Sequence, residues 1–167
     1  MVQKNNNNNN KVAVITGGSS GIGFETSLLL ARNGFHTYAS MRNPDKSKKE
    51  EIFNIVNKEK LPLQVTQLDV TDDNSVKEAF ENIVNERERI DVLVNNAGFL
   101  LLGPLEELSI EEFKEQFETN FFGVIRVTQA VLPTMRRQRQ GTTVNISSIA
   151  GIIGFPLSSA YVSSKLH

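Results

Sequence analysis

Residues Lys11–Gly23 read KVAVITGGSSGIG, and this stretch decides the fold. Lys11 to Thr16 is a short apolar, β-branched run, the pattern of a strand buried on both faces. Gly17 to Gly23 is a glycine-rich turn that reads T-G-x-x-x-G-x-G from Thr16, a variant of the more usual G-x-G-x-x-G. Phe24 to Asn33 follows as a helix with Leu28, Leu29 and Ala31 apolar and Gly34 as its stop. A buried strand that turns through glycines into a helix is the first βα junction of a dinucleotide-binding unit. Glycine lets backbone N–H groups approach a pyrophosphate, and the helix directs its positive end at the same place. A glycine-rich turn alone can be only a tight turn; its position between buried strand and helix favours the phosphate reading. Gly17, Ser19, Ser20, Gly21, Ile22 and Gly23 are the candidate cradle.

Outward from this junction, strands and helices alternate. Thr37 to Met41 reads as a second strand, and Pro44 and Asp45 open a charged helix to about Lys60. Leu63 to Val70 is a third strand. Asp72 or Asp73 caps a helix whose Val76, Phe80, Ile83 and Val84 fall at helical spacing. Ile90 to Val94 is a fourth strand, followed by Asn95-Asn96-Ala97-Gly98. A long helix starts near Ser109, with Glu112 completing a capping box. Its apolar stripe runs Phe113, Phe117, Phe121, Val124, Ile125, Thr128, Val131 and Leu132, part of which must pack on the sheet. Thr143 to Ser147 is a fifth strand, and Ser158 to His167 looks like the first turns of another helix. Repeated βαβ units mean a doubly wound parallel sheet in a three-layer α/β fold. The sheet is expected to be incomplete at its C-terminal end, with residues 11–167 as one partial domain.

Composition narrows the alternatives. The chain has 167 residues, 39% hydrophobic and 22% charged, with a formal net charge of −1, so no basic excess points to nucleic acid. It contains no cysteine, which excludes disulfides and thiolate chemistry and fits a cytoplasmic location. The two histidines, His36 and His167, are far apart, and no metal site is expected. No apolar run approaches the roughly 20 residues of a membrane span. Residues 1–10, with asparagine from Asn5 to Asn10, read as a disordered polar tail.

The glycine turn, Asn95-Asn96-Ala97-Gly98, Asn120 in the long helix, Asn145-Ile146-Ser147-Ser148 and Tyr161-x-x-x-Lys165 occur in an order that resembles the short-chain dehydrogenases/reductases. The likeness covers Lys11 to the last residue. Tyr38-Ala39-Ser40-Met41-Arg42 and Leu102-Gly103-Pro104-Leu105-Glu106 are similar to segments of its hydroxysteroid and retinol dehydrogenase branch. The resemblance implies a Rossmann fold that takes up a nicotinamide cofactor. It also implies a catalytic set of Tyr161, Lys165, Ser148 and Asn120, and a homodimer or homotetramer of the complete protein. It assigns Asp69 to the adenine and Asn96, Ala97 and Gly98, with Val70, to the cofactor crevice, and has Tyr161 and Lys165 contact the cofactor as well, Lys165 at the nicotinamide ribose. Asp69 could instead only cap its loop, and Asn95 and Asn96 could only fasten the end of the sheet.

The cofactor choice rests on the end of the second strand. An acid there would accept from a ribose 2′-hydroxyl; this chain has Ser40-Met41-Arg42. Arginine suits a 2′-phosphate, which it holds through paired charge-assisted bonds. NADP(H) is therefore expected over NAD(H), unless Arg42 is simply a solvated residue. The chemistry rests on Tyr161. A free phenol is too weak an acid to shuttle protons near neutral pH, but a lysine four residues on shares its helical face and stabilises the phenolate. Ser148 is favoured over Ser147 to orient the substrate, because Ser147 should still belong to the fifth strand. Asn120 is expected to kink the long helix and hold a water on the proton path. Apolar segments Phe99 to Pro104 and Gly151 to Leu157 suggest a lipophilic alcohol or carbonyl substrate. Alternatives are a non-catalytic cofactor-binding module, or an inactive fragment that is unstable by itself.

Overall fold

The computed structural model describes residues 8–44 and 46–165. In chain order its elements are β1 (Val12–Ile15), α1 (Gly21–Arg32), β2 (His36–Met41), α2 (Lys46–Glu59), β3 (Leu63–Gln67), α3 (Asp73–Arg87), β4 (Val92–Asn95), α4 (Ile110–Phe117), α5 (Gly123–Gln138), β5 (Thr142–Asn145) and α6 (Ser159–Lys165). All strand pairs are parallel, in the order β3-β2-β1-β4-β5. This is the doubly wound, Rossmann-like sheet the alternation predicts. Successive strands step outward from β1 and then restart at β4, so β1 and β4 flank the switch point, where such sheets open a crevice at their C-terminal ends.

Alternation along β1 sends side chains to both faces. Val12 and Val14 join Val76, Phe80 and Ile83 of α3 and Val127, Val131 and Met135 of α5. On the other face Ala13 and Ile15 pack with Val94, and Leu28, Ala31 and Ile52 of α1 and α2 pack on Ala39, Met41 and Leu63. At the N-terminal end of β4, Asp91 is buried and accepts from the Val12 amide at 2.8 Å and from both arms of Arg89 at 2.9 and 2.6 Å. Burial pushes this carboxyl up, but the Arg89 and Val12 donors outweigh it and hold it below its ordinary value.

Helix ends follow the sequence signals. Asp72 caps α3 by accepting from Asn74 and Ser75, and Ser109 and Glu112 form the capping box of α4. Of the asparagine run, only Asn8–Asn10 fall within the described residues. Asn8–Asn10 form a turn, with the Asn8 carbonyl accepting from Lys11 at 2.8 Å and its amide donating to the Asn33 carbonyl at 3.3 Å. The tail's earlier residues, and the expected continuation of α6 through Leu166 and His167, lie outside the described residues.

The long helix is interrupted between α4 and α5 by a π-helical turn over Glu118–Phe122. Its buried line is Gln116, Asn120, Gly123, Val127, Val131 and Met135, a step round from the predicted stripe. Of that stripe only Val131 is fully buried, while Ile125 and Leu132 stay exposed. The reason is chemical: the first half of the buried line faces the loop after β4 and is polar, so a search for apolar periodicity follows the neighbouring line.

Candidate functional site

The glycine turn is built into the crevice by both neighbouring strands. Thr16, buried at the end of β1, accepts through Oγ1 from the amides of Asn96 and Ala97, each at 3.0 Å. The Asn96 side chain donates back to the carbonyls of Thr16 at 2.9 Å and Gly17 at 3.1 Å. The Gly18 amide donates to the Ser40 carbonyl of β2 at 2.7 Å. Gly17 holds a φ of +66°, which a side chain rarely adopts, and a Cβ at Gly23 would fall on the Gly17 carbonyl oxygen and the Asn96 amide. Ser20 stands at the N-cap of α1 in extended conformation, yet its hydroxyl caps nothing. Ile22 is exposed at the same end. An uncapped helix N-terminus behind a glycine-rich turn is a fit for a pyrophosphate.

Both asparagines fasten the C-terminal edge of the sheet. Asn95 is buried and donates to Thr128 of α5 at 3.0 Å and to Asn145 of β5 at 2.9 Å, while Asn96 ties the glycine turn. Ala97 and Gly98 carry the chain on along the crevice wall. Arg42 is exposed one residue past β2, and its sequence neighbours Ser40, Met41 and Asn43 carry no acid. Asp69 closes its own loop: Oδ1 accepts from the Thr71 amide at 2.9 Å and the Thr71 hydroxyl at 2.8 Å. Val70 is buried against Gly123.

Tyr161 and Lys165 lie one turn apart on α6. Lys165 is 8% exposed; its Nζ donates to the Ile146 carbonyl at 3.2 Å and sits 5.9 Å from the centre of the Tyr161 ring. Burial pushes its ammonium below the ordinary lysine value. Asn120 is buried in the π-helical turn, and its side chain is fully engaged. Oδ1 accepts from the Phe99 amide at 3.1 Å, and Nδ2 donates to the Phe99 carbonyl at 3.0 Å and to Ser164 of α6 at 3.1 Å. A Cβ at Gly98 would lie 3.0 Å from Asn120 Oδ1 and 3.8 Å from Lys165 Nζ. The π-helical turn, the loop after β4 and the lysine therefore meet at one point beside the tyrosine.

The reason given for preferring Ser148 over Ser147 does not hold. β5 ends at Asn145, so neither serine belongs to the strand. Ser148 is distinguished differently: it is half-buried and caps a short 3-10 turn, its Oγ accepting from Ala150 at 3.1 Å, whereas Ser147 is exposed. The turn packs directly on α6, since a Cβ at Gly151 would come 2.5 Å from the Lys165 carbonyl. Motif matching missed Gln116. This side chain has no exposure and joins the loop after β4, donating to the Phe99 carbonyl at 2.7 Å and accepting from the Leu101 amide at 2.8 Å. Its four-residue spacing to Asn120 was the available signal.

With this geometry in place, comparison with known proteins decides the family. The family model described as short chain dehydrogenase matches residues 11–166. The chain belongs to the short-chain dehydrogenase family. It is 43% identical to the uncharacterised oxidoreductase YusZ of Bacillus subtilis over 92% of this chain and 54% of that protein. It is 41% identical to 3-ketodihydrosphingosine reductase of Bacteroides thetaiotaomicron, over 91% of this chain and 52% of the relative. Human retinol dehydrogenase 8 is 43% identical over 91% and 49%. Among solved structures, a short-chain dehydrogenase from Streptomyces avermitilis superposes with a TM-score of 0.83 at 34% identity, over 93% of this chain and 55% of that one. A gluconate 5-dehydrogenase from Burkholderia cenocepacia, in complex with NADP and tartrate, gives 0.84 at 28%, over 93% and 60%. The chain thus spans about half the length of the curated relatives it matches. Among the described residues, no helix is long and apolar enough to cross a membrane.

Proposed function

We propose that the complete protein is an NADP(H)-dependent oxidoreductase that interconverts a lipophilic secondary alcohol and ketone, or alcohol and aldehyde. The observation that carries this is the convergence of Asn120, Gly98 and Lys165 beside Tyr161, next to a glycine cradle that fits a pyrophosphate. The cradle of Gly17 to Gly23 would hold the cofactor's phosphates, and Arg42 a ribose 2′-phosphate. Once bound, the nicotinamide supplies or accepts the hydride. Tyr161 gives its phenolic proton to the carbonyl oxygen in reduction and takes it back in oxidation. The Lys165 ammonium favours the phenolate that this leaves. Ser148 donates to the substrate oxygen and stabilises charge there. Asn120 maintains the break in the helix and the contact with α6.

Two kinds of support favour a lipophilic substrate. Phe99, Leu100, Leu102, Ile149, Ile152 and Phe155 are all exposed along loops near the site. Relatives named as a 3-ketodihydrosphingosine reductase and a retinol dehydrogenase point the same way. Exposed Phe122, Ile125 and Leu132 on one side of the long helix support a homodimer or homotetramer. Tyr161→Phe in the complete protein tests the catalytic assignment: turnover should fall by about 10²–10⁴-fold, the usual scale of general acid–base catalysis, with cofactor affinity held. Turnover within a few-fold of wild type would sink it. The cofactor assignment is tested separately, since tighter binding of NAD than of NADP contradicts it.

A further inference from the structure

Phe99–Leu101 is held from below by a pair of buried amides, Gln116 and Asn120. They lie four residues apart, one on α4 and one in the π-helical turn. Asn120 satisfies both polar groups of the Phe99 backbone, at 3.1 and 3.0 Å. Gln116 adds a second donor to the Phe99 carbonyl at 2.7 Å, and it accepts from the Leu101 amide at 2.8 Å. A buried carboxamide with both ends matched to two different backbone groups works as a template for the loop, because any other loop path leaves a buried amide unpaired. Two residues further, the Gly103 amide donates to the Leu157 carbonyl at 2.8 Å, joining this loop to the apolar loop before α6.

We propose that Gln116 is a positioning residue that sets the wall of the substrate cleft through Phe99–Leu101. This rests on the oxidoreductase reading above. The apolar residues Phe99, Leu100 and Leu102 are presented outward while the Leu101 amide is fixed inward. Loss of Gln116 leaves the Phe99 carbonyl its Asn120 donor but leaves the Leu101 amide without an acceptor. The wall then shifts while Tyr161, Lys165 and the glycine cradle keep their own supports. The effect therefore falls on KM for the carbonyl substrate.

Gln116→Met and Gln116→Glu in the complete protein test this, with a panel of apolar ketones and aldehydes as substrates. Gln116→Met should raise KM about ten-fold, the scale of one unmade buried hydrogen bond, with cofactor Kd unchanged and kcat little changed. Gln116→Glu keeps the acceptor for Leu101, but it can donate to the Phe99 carbonyl only when protonated. Burial and that acceptor favour its neutral form. Its KM should stay near wild type in acid and rise with pH, a titration absent from wild type and from Gln116→Met. A kcat loss at constant KM in step with loss of folded protein would show a merely structural role and overturn the proposal. So would a KM within about two-fold of wild type in both variants. Wild-type protein that turns over no carbonyl compound removes the oxidoreductase reading itself, and the proposal with it; the other two outcomes leave that reading standing.

Discussion

β4 has a four-residue strand on each side, and the two could hardly be more different in their surroundings. β1 is buried at every position, while β5 is exposed at every position. Val94 itself pairs with Ile15 on one side and with Val144 on the other; Ile15 has no exposure and Val144 is 40% exposed. The glycine turn, the proposed cofactor cradle, hangs from the covered side. The turn with Ser147 and Ser148, and then α6 with Tyr161 and Lys165, hangs from the open side. On that side order depends on a few specific bonds: Asn95 to Asn145, Lys165 to Ile146 and Asn120 to Ser164. Both halves of the proposed site use polar ties, but the glycine turn follows a buried strand, whereas the turn and helix that carry Ser148, Tyr161 and Lys165 follow an exposed one.

The strongest way to break the covered side is Asp91→Ala. It removes the carboxylate that ties β1 to β4, leaving the Val12 amide unpaired and Arg89 without its partner. The expected loss is up to about 3 kcal/mol of unfolding free energy, the cost of leaving the buried Val12 amide without its acceptor, since Arg89 is 38% exposed and stays solvated; denaturant titration reads it. The wild-type contribution also has a pH signature. The folded carboxyl sits below its unfolded value, so its stabilisation is present above the unfolded pKa and fades as pH falls through the folded one. A variant that melts like wild type at neutral pH would show that β1 does not depend on this anchor.

Gly23→Ala comes next and should separate binding from folding. The added methyl meets the Gly17 carbonyl and the Asn96 amide, so the turn must move. Overpacking of this kind costs about 1–3 kcal/mol, equivalent to about a ten- to hundred-fold weaker cofactor Kd in the complete protein. Unchanged cofactor affinity would mean that the turn is not the phosphate cradle.

Much of this was legible in the residues. The alternation of strands and helices, the glycine turn and the caps at Asp72 and Ser109 are local signals, written in glycine, β-branched runs and capping side chains. The four catalytic candidates came from motif order, which records what neighbours require. Hidden from both was everything that depends on which face of an element meets which loop. The buried line of the long helix is polar at Gln116 and Asn120, so hydrophobic periodicity pointed to its neighbour. The end of β5 depended on pairing with β4, whose register with β5 stops at Asn145, so Ser147 was assigned to a strand it does not enter. Asn8–Asn10 were read by composition alone, which cannot see the Asn33 carbonyl that the Asn8 amide meets.

Paired valine truncations sharpen the contrast itself. Val94→Ala removes about two buried methyl groups and should cost about 2 kcal/mol. Val144→Ala, on a neighbouring and hydrogen-bonded position, should cost under about 0.5 kcal/mol in this 167-residue chain. Repeating the pair in the complete protein shows whether further structure covers β5, because the Val144 penalty should then approach that of Val94. Equal penalties in the short chain would refute the difference in support.

The smallest effect is also the most telling about the open side. Lys165 is buried with its ammonium pKa pushed down by desolvation, so the folded state binds this proton less tightly than the unfolded chain does. Below the folded pKa both states are protonated and the full desolvation cost opposes folding. Between the folded and unfolded values the unfolded chain binds more protons, and stability rises with pH. Lys165→Met removes that cost along with one bond to the Ile146 carbonyl. At neutral pH its Tm should match or slightly exceed wild type, and the margin should shrink as pH approaches about 10, near the ordinary lysine value. Turnover in the complete protein should be lost at every pH. A charge kept in the protein at a cost to stability is the expected mark of a functional residue. A clear fall in Tm for Lys165→Met at neutral pH would instead make Lys165 a structural tie for α6.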